Sequence, residues 1–373
     1  MEKRVIISGG GTGGHIFPAI AIANALKRLV PGIQLLFVGA NGRMEMDKVP
    51  AAGYEIVGLD IQGIDRKSLW KNIALPFKLY NSIRKAKQII GDFKPDVAVG
   101  VGGYASGPLL HTAAQMGVPC LIQEQNSYAG VTNKQLGKKV DKICVAFEEM
   151  ERFFPEDKLL FTGNPIRRES VDIFNKRSEA AESLGISAQR KTVLVTGGSL
   201  GARTLNESIQ AGLDKFVDAG VQVVWQCGEY YYEELNRAIG GRYEGYVKLT
   251  AFLHRMDLAY ASADVIIARA GAGTIAELCV VGKPVVLVPS PNVAEDHQTK
   301  NAQALVRKQA ALMVADTDAR TQLVDKALLL LGDKDLQDDL GTNIKQLAIR
   351  DADEVIAREV LRLAGQNVDS LGI

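Results

Sequence analysis

Residues 5–15 read VIISGGGTGGH, a short apolar run that passes directly into a glycine-rich loop and a histidine. Residues 193–203, VLVTGGSLGAR, repeat the order of apolar run and glycine-rich loop, and helix-forming sequence follows both. Glycines at the end of a strand let the backbone turn sharply and approach a ligand closely. The helix that follows presents N–H groups and partial positive charge to anions. The two stretches therefore predict two strand, loop and helix units, each with a place for an anionic group.

Short apolar runs alternate with longer helical patterns along the chain, which predicts a doubly wound α/β fold. Examples of the runs are VIIS (5–8), LLFVG (35–39), VAVGVGG (97–103), CLIQE (120–124), VLVTGG (193–198), VQVVWQC (221–227), VIIAR (265–269) and VVLVP (285–289), with helical patterns such as 19–29 and 204–216 between them. They are continuously apolar, as in strands that are buried on both faces of a parallel sheet.

A length of 373 residues fits two Rossmann-like domains in tandem. Gly-Asn-Pro in TGNPIRRE (162–169) breaks regular structure, so we expect the first domain to span residues 1–163 and the second residues 164–349. The apolar pattern of the last predicted helix, at about residues 350–367, requires a packing partner, and we expect it to pack back on the first domain.

Composition and spacing exclude several classes of function. The formal net charge is +1, so there is no global basic field for nucleic acid. No stretch approaches the roughly 18 apolar residues that cross a membrane, so we expect a soluble protein or one attached only at a membrane surface. The four cysteines and four histidines form no metal-binding spacing. An Asp-x-Asp at Asp351 and Asp353 opens a helical pattern rather than following a strand, so we expect a helix cap and no metal site.

The first glycine loop resembles a dinucleotide-binding fingerprint only in part. Gly9, Gly11 and Gly14 fit GxGxxG, but the stretch after the next apolar run, VGANGRME (38–45), shows no acidic residue at its tip. An acid there would bind the ribose of NAD, so a dehydrogenase is disfavoured. The same glycines also fit a tight turn without a ligand.

His15 is expected in the first turn of the helix that follows this loop. The helix dipole disfavours the positive form of a histidine at that place, so the imidazole should be neutral at pH 7. A neutral imidazole can accept a proton from a hydroxyl group. The alternative is a histidine that caps the helix or packs against the loop.

The stretch IARAGAGTIAE (267–277) again leads from a predicted strand through glycines into a helix. Its N–H groups can face a diphosphate while the carboxylate of Glu277 accepts hydrogen bonds from a ribose diol. Glu277 could equally be an acid near the helix start that serves the dipole. Gln298 and Asn301, in a polar stretch that opens the next helix, are suited to a sugar or a base.

The loops GVGGYASGP (100–108) and QEQNSYAG (123–130) each follow a predicted strand of the first half. Ligands of open α/β sheets bind at the carboxyl ends of the strands. We therefore expect Glu124 and Asn126 to line the same site as His15.

Residues 66–87 contain seven basic residues and no acidic one, interleaved with bulky apolar groups. Such a segment suits an anionic membrane surface. The predicted membrane contacts are Lys67, Trp70, Lys71, Ile73, Leu75, Phe77 and Lys78. The alternative is an amphipathic helix that packs on the core and exposes a solvated basic face.

Six of these motifs, GGGTGGHIFP, GVGGYASGP, QEQNSYAG, TGNPIRRE, TGGSLGAR and RAGAGTIAE, occur in this order, and together they closely resemble the bacterial peptidoglycan N-acetylglucosaminyltransferases of glycosyltransferase family 28. The resemblance covers nearly the full length. It implies a GT-B fold, in which two Rossmann-like doubly wound parallel-sheet domains face each other across a cleft, the first binding the acceptor and the membrane and the second binding UDP-GlcNAc.

The resemblance also implies an activity. Family members transfer N-acetylglucosamine from UDP-GlcNAc to the 4-hydroxyl of the muramoyl sugar of lipid I, with inversion, and form lipid II in peptidoglycan synthesis. They need no cofactor and lie on the cytoplasmic side of the bacterial inner membrane as peripheral proteins. The implied partners are UDP-GlcNAc, lipid I, anionic inner-leaflet lipids and other proteins of cell-wall synthesis.

By the resemblance, His15 matches the proposed catalytic base, with Glu124 and Asn126 beside it. The residues implied for substrate binding are Thr12, Gly13, Gly14, Asn126, Arg167, Ser199, Leu253, Ala272, Gly273, Thr274, Ile275, Ala276, Glu277 and Gln298. Within this set Leu253 would meet the uracil through its backbone, Glu277 the ribose hydroxyls and Gln298 the sugar. The alternatives are another UDP-sugar glycosyltransferase or a UDP-sugar epimerase of the same fold, a non-catalytic nucleotide-sugar binding protein, and an NAD-dependent oxidoreductase.

Overall fold

The computed structural model describes residues 2–63, 75–198, 200–293 and 296–368. The chain divides into two compact units, residues 1–166 with 351–373, and residues 167–350. The division falls within TGNPIRRE, one residue after the Gly-Asn-Pro sequence.

The first unit is built on a seven-stranded parallel sheet of order β3-β2-β1-β4-β5-β6-β7. Its strands are Arg4–Ser8 (β1), Gln34–Ala40 (β2), Ile56–Leu59 (β3), Val97–Gly100 (β4), Cys120–Glu124 (β5), Lys142–Val145 (β6) and Leu159–Phe161 (β7). Its helices are Gly13–Leu29 (α1), Glu45–Ala51 (α2), Leu75–Phe93 (α3), Ser106–Gln115 (α4) and Val131–Leu136 (α5), with 3₁₀ turns at Met150–Arg152 and Glu156–Lys158. The strand order reverses between β1 and β4, and in such sheets ligands bind beyond the carboxyl ends of the strands at this switch point.

The second unit repeats this plan with a six-stranded parallel sheet of order β10-β9-β8-β11-β12-β13. Its strands are Thr192–Thr196 (β8), Gln222–Gln226 (β9), Val247–Thr250 (β10), Val265–Ala268 (β11), Val285–Leu287 (β12) and Leu312–Met313 (β13). Its helices are Arg168–Val171 (α6), Arg177–Leu184 (α7), Arg203–Ala211 (α8), Leu213–Asp218 (α9), Glu229–Ile239 (α10), Met256–Ser262 (α11), Ala272–Val281 (α12), His297–Arg307 (α13), Ala319–Gly332 (α14) and Lys334–Gln346 (α15), with a 3₁₀ turn at Asp316–Asp318. The switch point of this sheet lies between β8 and β11.

The last helix, Ala352–Leu363 (α16), belongs to the first unit. Its buried Ile356 and Val360 join one apolar cluster with Ile16 and Ile22 of α1. Asp351 stands at the N-cap position but its side chain makes no capping hydrogen bond, and Asp353 pairs with Arg28 of α1 at 2.5 Å, so the expected helix cap is wrong except in its position. The second acid of the Asp-x-Asp therefore ties α16 to α1.

The helix predicted over residues 204–216 is wrong in one respect, because the chain breaks at Gly212 into α8 and α9. A Cβ at Gly212 would lie 2.5 Å from Val324 Cγ2. The glycine thus interrupts the helix where α14 packs closely against it, a tertiary contact that local periodicity does not reveal.

No helix within the described residues is both long enough and apolar enough to cross a membrane.

Candidate active site

The two loops at the switch point of the first unit meet backbone to backbone. The N–H of Gly10, after β1, donates to the carbonyl of Gly102, after β4, at 3.2 Å. Gly102 and Gly103 have φ of +101° and +95°, a region that favours glycine. A Cβ at Gly103 would also lie 2.5 Å from the Gly10 carbonyl oxygen. These glycines are therefore required for the close approach of the two loops.

His15 lies in the first turn of α1 and is half-buried. Its Nδ1 lies 3.0 Å from the carbonyl oxygen of Gly10, and a Cβ on Gly102 would lie 2.7 Å from its Nε2. A carbonyl oxygen only accepts hydrogen bonds, so Nδ1 carries the proton. In the neutral ring the lone pair then lies on Nε2, the form that can accept a proton from a hydroxyl group.

Backbone donors surround this histidine at the start of α1. Thr12 occupies the N-cap position, and Gly13 and Gly14 are the first residues of the helix. The first N–H groups of a helix have no acceptor within it, and Thr12 and Gly14 are exposed. The helix N-terminus can therefore bind an anionic group such as a phosphate beside His15.

Glu45 is a buried acid of this loop that the sequence did not reveal. It is the first residue of α2, it is 1% exposed, and its two carboxylate oxygens accept the N–H groups of Gly11 (2.8 Å) and Ala40 (3.0 Å). The residue that directly follows β2, Asn41, is not acidic, as the sequence indicates, and Glu45 lies four residues further along the chain. In dinucleotide-binding domains an acid at this edge binds a ribose, whereas the oxygens of Glu45 accept backbone N–H groups. This use of the carboxylate disfavours an NAD site.

Glu124, the last residue of β5, is only 2% exposed and organises the loop that follows. Its Oε1 accepts from the N–H and the Nδ2 of Asn126 at 3.1 and 3.3 Å. Its Oε2 accepts from the N–H of Gly130 at 3.0 Å and from Nδ2 of Asn133 at 2.9 Å. Asn126 itself is half-buried. The contacts of Glu124 thus fix the loop conformation that presents Asn126.

The glycine loop of the second unit is also held by close backbone contacts. A Cβ at Gly201, where φ is +75°, would lie 1.9 Å from the carbonyl oxygen of Cys227 in the loop after β9. Gln226 donates to the carbonyl of Gly198 at 2.9 Å. The loop therefore has the backbone geometry expected of TGGSLGAR, while Ser199 lies outside the described residues.

Glu277 and Arg167, two residues predicted to bind substrate, lie side by side in the second unit. Glu277 is in the second turn of α12, where its Oε1 is 4.0 Å from Arg167 Nη2 and its Oε2 accepts from the Tyr260 hydroxyl at 3.0 Å. Burial raises the pKa of Glu277, while the Arg167 charge and the Tyr260 hydrogen bond act against that rise. Because Glu277 lies beyond the first turn, the alternative of an acid that serves the helix dipole is disfavoured.

The remaining predicted residues of the second unit follow other strands of the same sheet. Ala272, Gly273, Thr274, Ile275 and Ala276 form the start of α12, whose N-cap is Gly271. Leu253 follows β10 with its side chain buried, and the rings of its neighbours Phe252 and His254 pack on each other, so its backbone is the part that can meet a ligand. Gln298 lies in the first turn of α13 and accepts the Ser290 N–H at 2.8 Å. All of these strands are parallel, so the residues lie at one edge of the sheet.

Arg269 is a second residue whose importance the sequence did not reveal. Its Nη1 donates to the carbonyls of Val288 and Pro289 at 3.0 and 3.1 Å and to Asp316 Oδ1 at 2.5 Å. The guanidinium thereby joins the loops that follow β11, β12 and β13. This fixes the loop that leads into α12.

Asp257 anchors α11, the helix that carries Tyr260. Its carboxylate accepts from Arg255 Nε at 2.9 Å and from Lys176 Nζ at 3.0 Å, and it is 4% exposed. The hydrogen bonds from Arg255 and from Lys176 hold the pKa of Asp257 well below its usual range. A carboxyl whose pKa is lowered on folding stabilises the fold at pH values above its unfolded value, and this contribution is lost as the pH falls.

We therefore expect Asp257→Asn to lower the free energy of unfolding by about 2 kcal/mol at pH 7, because the hydrogen bonds to a charged group are lost. The difference between variant and wild type should shrink as the pH falls below about 4. Urea unfolding of the variant and the wild type, from pH 7 down to the lowest pH at which the protein is folded, measures this difference and its dependence on pH. Asp335→Asn, an exposed acid of α15, is the control, and a difference that is independent of pH would contradict the role of the charge.

Two family models match the chain: the glycosyltransferase family 28 N-terminal domain over residues 5–145 and the family 28 C-terminal domain over residues 192–357. A relative from Parabacteroides distasonis is 57% identical over 363 residues, which cover 97% of this chain and 98% of that protein. The chain belongs to glycosyltransferase family 28. The family expected from the six motifs is therefore confirmed.

The relative from Parabacteroides distasonis carries the name "UDP-N-acetylglucosamine--N-acetylmuramyl-(pentapeptide) pyrophosphoryl-undecaprenol N-acetylglucosamine transferase". A relative from Cytophaga hutchinsonii carries the same name. It is 57% identical over 361 residues, which cover 96% of this chain and 96% of that protein. Among solved structures, MurG from Acinetobacter baumannii matches with a TM-score of 0.77 at 28% identity, over 96% of this chain and 99% of that one. The paired Rossmann-like sheets are those of the predicted GT-B fold.

A putative UDP-N-acetylglucosamine 2-epimerase from Listeria monocytogenes matches with a TM-score of 0.71 at 13% identity, over 99% of this chain and 98% of that one. At that identity the likeness shows only a shared fold. The family assignment of this chain therefore rests on the family 28 domains, which match both of its halves.

Proposed function

We propose that this protein transfers N-acetylglucosamine from UDP-GlcNAc to the 4-hydroxyl of the muramoyl sugar of lipid I and so forms lipid II for peptidoglycan. The observation that carries the proposal is the identity of more than half of the residues, over nearly the whole chain, with transferases named for this reaction. The site supports it, because the first unit places a histidine, with Nδ1 on the Gly10 carbonyl, at the N-terminus of α1 and the second unit places a carboxylate and an arginine side by side.

In the proposed reaction His15 is the general base. Its Nε2 takes the proton of the acceptor 4-hydroxyl as that oxygen forms a bond to C1 of N-acetylglucosamine. The bond from C1 to the β-phosphate oxygen breaks, and UDP leaves with the bonding electrons. Attack from the face opposite UDP inverts the anomeric centre. The first N–H groups of α1, at Thr12, Gly13 and Gly14, are suited to the diphosphate of the acceptor.

The second unit binds the donor in this proposal. Glu277 accepts the ribose hydroxyls, and the N–H groups at the start of α12 face the diphosphate together with Arg167 and the loop that contains Ser199. The positive charge of Arg167 and the oriented N–H groups at this place stabilise the negative charge that develops on UDP as it leaves. The Leu253 backbone meets the uracil. Gln298, whose carbonyl oxygen is held by Ser290, offers its amide N–H groups to the sugar.

We assign Glu124 a positioning role within this site. Its oxygens accept three hydrogen bonds from the loop that follows it and one from Asn133 of α5, and its side chain is buried. Asn126 is then the group of this pair that would touch the acceptor.

We propose that the first half of α3 contacts the membrane surface and so attaches the protein peripherally. Phe77 and Tyr80 are 73% and 67% exposed there, and Arg84 and Lys87 are exposed on the same helix. Of the predicted contacts, Leu75 is half-buried, and Lys78 lies 3.1 Å from Gln62 Oε1 and 3.9 Å from Asp60. The other predicted contacts, Lys67, Trp70, Lys71 and Ile73, lie outside the described residues. Exposed aromatic rings beside basic residues favour the anionic leaflet on the cytoplasmic side of the inner membrane.

We expect the variant Phe77→Ser, Arg84→Glu, Lys87→Glu to bind vesicles of anionic phospholipid at least about tenfold more weakly than the wild type, since each basic residue near the surface contributes about 1 kcal/mol. The difference should shrink as the salt concentration rises. Vesicle sedimentation measures it. The matched control is Arg237→Glu, Lys248→Glu, two exposed basic residues of the second unit, and equal losses in both variants would contradict a specific surface on α3.

The proposed function is tested first by release of UDP from UDP-GlcNAc with and without a short-chain lipid I analogue. Release that requires the analogue is the expected result. Conversion of the donor to UDP-N-acetylmannosamine without acceptor would instead favour an epimerase. Binding of UDP without any turnover would favour a nucleotide-sugar binding protein, and binding of NAD in place of UDP an oxidoreductase.

A further inference from the structure

The peptide bond between Gly10 and Gly11 is held from both of its sides. Its N–H, which belongs to Gly11, donates to Glu45 Oε2 at 2.8 Å. Its carbonyl, which belongs to Gly10, lies 3.0 Å from Nδ1 of His15. A single peptide plane thus lies between a buried carboxylate and the imidazole ring.

The carboxylate of Glu45 is fixed in its place by the backbone around it. Its second oxygen accepts the N–H of Ala40 at the end of β2, at 3.0 Å. A Cβ at Gly10 would lie 2.2 Å from Oε1, and a Cβ at Gly39 would lie 2.6 Å from Cγ. Both positions must therefore be glycine to leave room for this side chain. The space that Gly10 and Gly39 leave open thus holds the carboxylate in one orientation, with Oε2 toward the loop after β1.

This arrangement has a chemical consequence for His15. A hydrogen bond to an ionised acceptor is stronger than one between neutral groups, and hydrogen bonds in a chain polarise one another. The carboxylate that accepts the Gly11 N–H therefore makes the Gly10 carbonyl a better acceptor. A better acceptor favours the proton on Nδ1 of His15 and so the lone pair on Nε2.

The geometry points to Glu45 as a positioning residue for His15, acting through the Gly10–Gly11 peptide to hold the tautomer in which Nε2 accepts a proton. In serine proteases a carboxylate does this by contacting the histidine directly. Here a peptide group lies between the two. The inference rests on the proposed role of His15 as the base, but the tautomer itself can be measured without any turnover.

The first test is the ¹⁵N NMR spectrum of the imidazole groups of the full-length wild type, in which the His15 signals are identified by their absence from His15→Ala. We expect the neutral ring to carry its proton on Nδ1, and in Glu45→Gln to become a mixture of both tautomers. Glu55→Gln, the same change at an exposed glutamate of the same unit, should leave the spectrum unchanged. A proton on Nε2 in the wild type, or an unchanged tautomer in Glu45→Gln, would overturn the inference.

The second test is kinetic. Glu45→Gln should lower kcat for transfer by about 10- to 100-fold, the size of effect seen when a group that orients a metal-binding histidine is removed, with the KM for UDP-GlcNAc unchanged. In the His15→Ala background the same substitution should cause no further loss, since the two residues act as one unit. Losses that multiply in the double variant would mean that Glu45 only stabilises the loop. Wild-type kcat in His15→Ala would instead refute the base assignment, while the NMR result would still decide the tautomer.

Discussion

Replacing His15 by alanine is expected to lower kcat for transfer by about 1,000-fold, within the range that general base catalysis supplies. The physical reason lies in one contact: the Gly10 carbonyl fixes the proton on Nδ1, so that Nε2 is the atom able to take the hydroxyl proton. Alanine removes the atom that takes the proton. The 4-hydroxyl of the acceptor substrate must then attack while it still carries its proton. Single-turnover transfer of labelled N-acetylglucosamine at saturating donor and acceptor measures this chemical step.

The donor site of the His15→Ala variant should be intact, because Glu277, Arg167 and α12 belong to the other unit. Its Kd for UDP-GlcNAc by titration calorimetry is therefore expected to match that of the wild type. The control substitution is His111→Ala, at a half-exposed position of α4 where Lys139 lies 2.9 Å from the ring. Transfer at the wild-type rate by His15→Ala would show that another group is the base, and a loss of equal size in His111→Ala would show that the effect is not specific.

Replacing Glu277 by alanine is expected to raise the KM for UDP-GlcNAc about 100-fold, since two hydrogen bonds from a ribose diol to a charged group are lost and each contributes about 1.5 kcal/mol or more. The KM for the acceptor should change little. Steady-state kinetics with each substrate varied in turn measures both values. Glu277→Gln keeps the shape of the side chain and one oxygen that accepts hydrogen bonds. Its KM for UDP-GlcNAc should therefore lie between those of Glu277→Ala and the wild type.

Tyr260→Phe refines this prediction. The Tyr260 hydroxyl donates to Glu277 Oε2 from a fully buried position, and burial beside that carboxylate raises the pKa of Tyr260 well above its usual value. Phenylalanine keeps the ring packed but frees the carboxylate to rotate, so the KM for UDP-GlcNAc should rise about tenfold, the equivalent of one hydrogen bond to a charged group. An effect of Glu277→Ala on the acceptor alone would show that the donor has been assigned to the wrong unit.

The sequence predicts the central strands well because their burial is continuous. β1, β5 and β11 agree with the predicted runs to within a residue. None of the apolar runs quoted from the sequence covers the edge strands β3, β7, β10 and β13, which are only partly buried, or the neighbouring β6, which begins with a lysine. Their pairing is decided by the neighbouring strand and not by local composition.

For the candidate site, local motifs predicted which loops lie together but not how they are held. The glycines of both units lie where the strand ends require close approach of two loops, as a glycine-rich pattern suggests. Glu45, by contrast, is an ordinary acid at a helix start in the sequence, and its role follows from its contact with the N–H group of Gly11, which is 34 residues away along the chain. Arg269 and Tyr260 are similar cases, because each acts through a tertiary hydrogen bond.

The most direct test of the central claim is the structure of the product formed from UDP-GlcNAc labelled with ¹³C in the sugar and a short-chain lipid I analogue. The predicted result, read by NMR after purification, is one labelled N-acetylglucosamine joined through a β bond to the 4-oxygen of the muramoyl sugar, with one UDP released per bond formed. Label recovered as free sugar, as UDP-N-acetylmannosamine or as unchanged donor would contradict it.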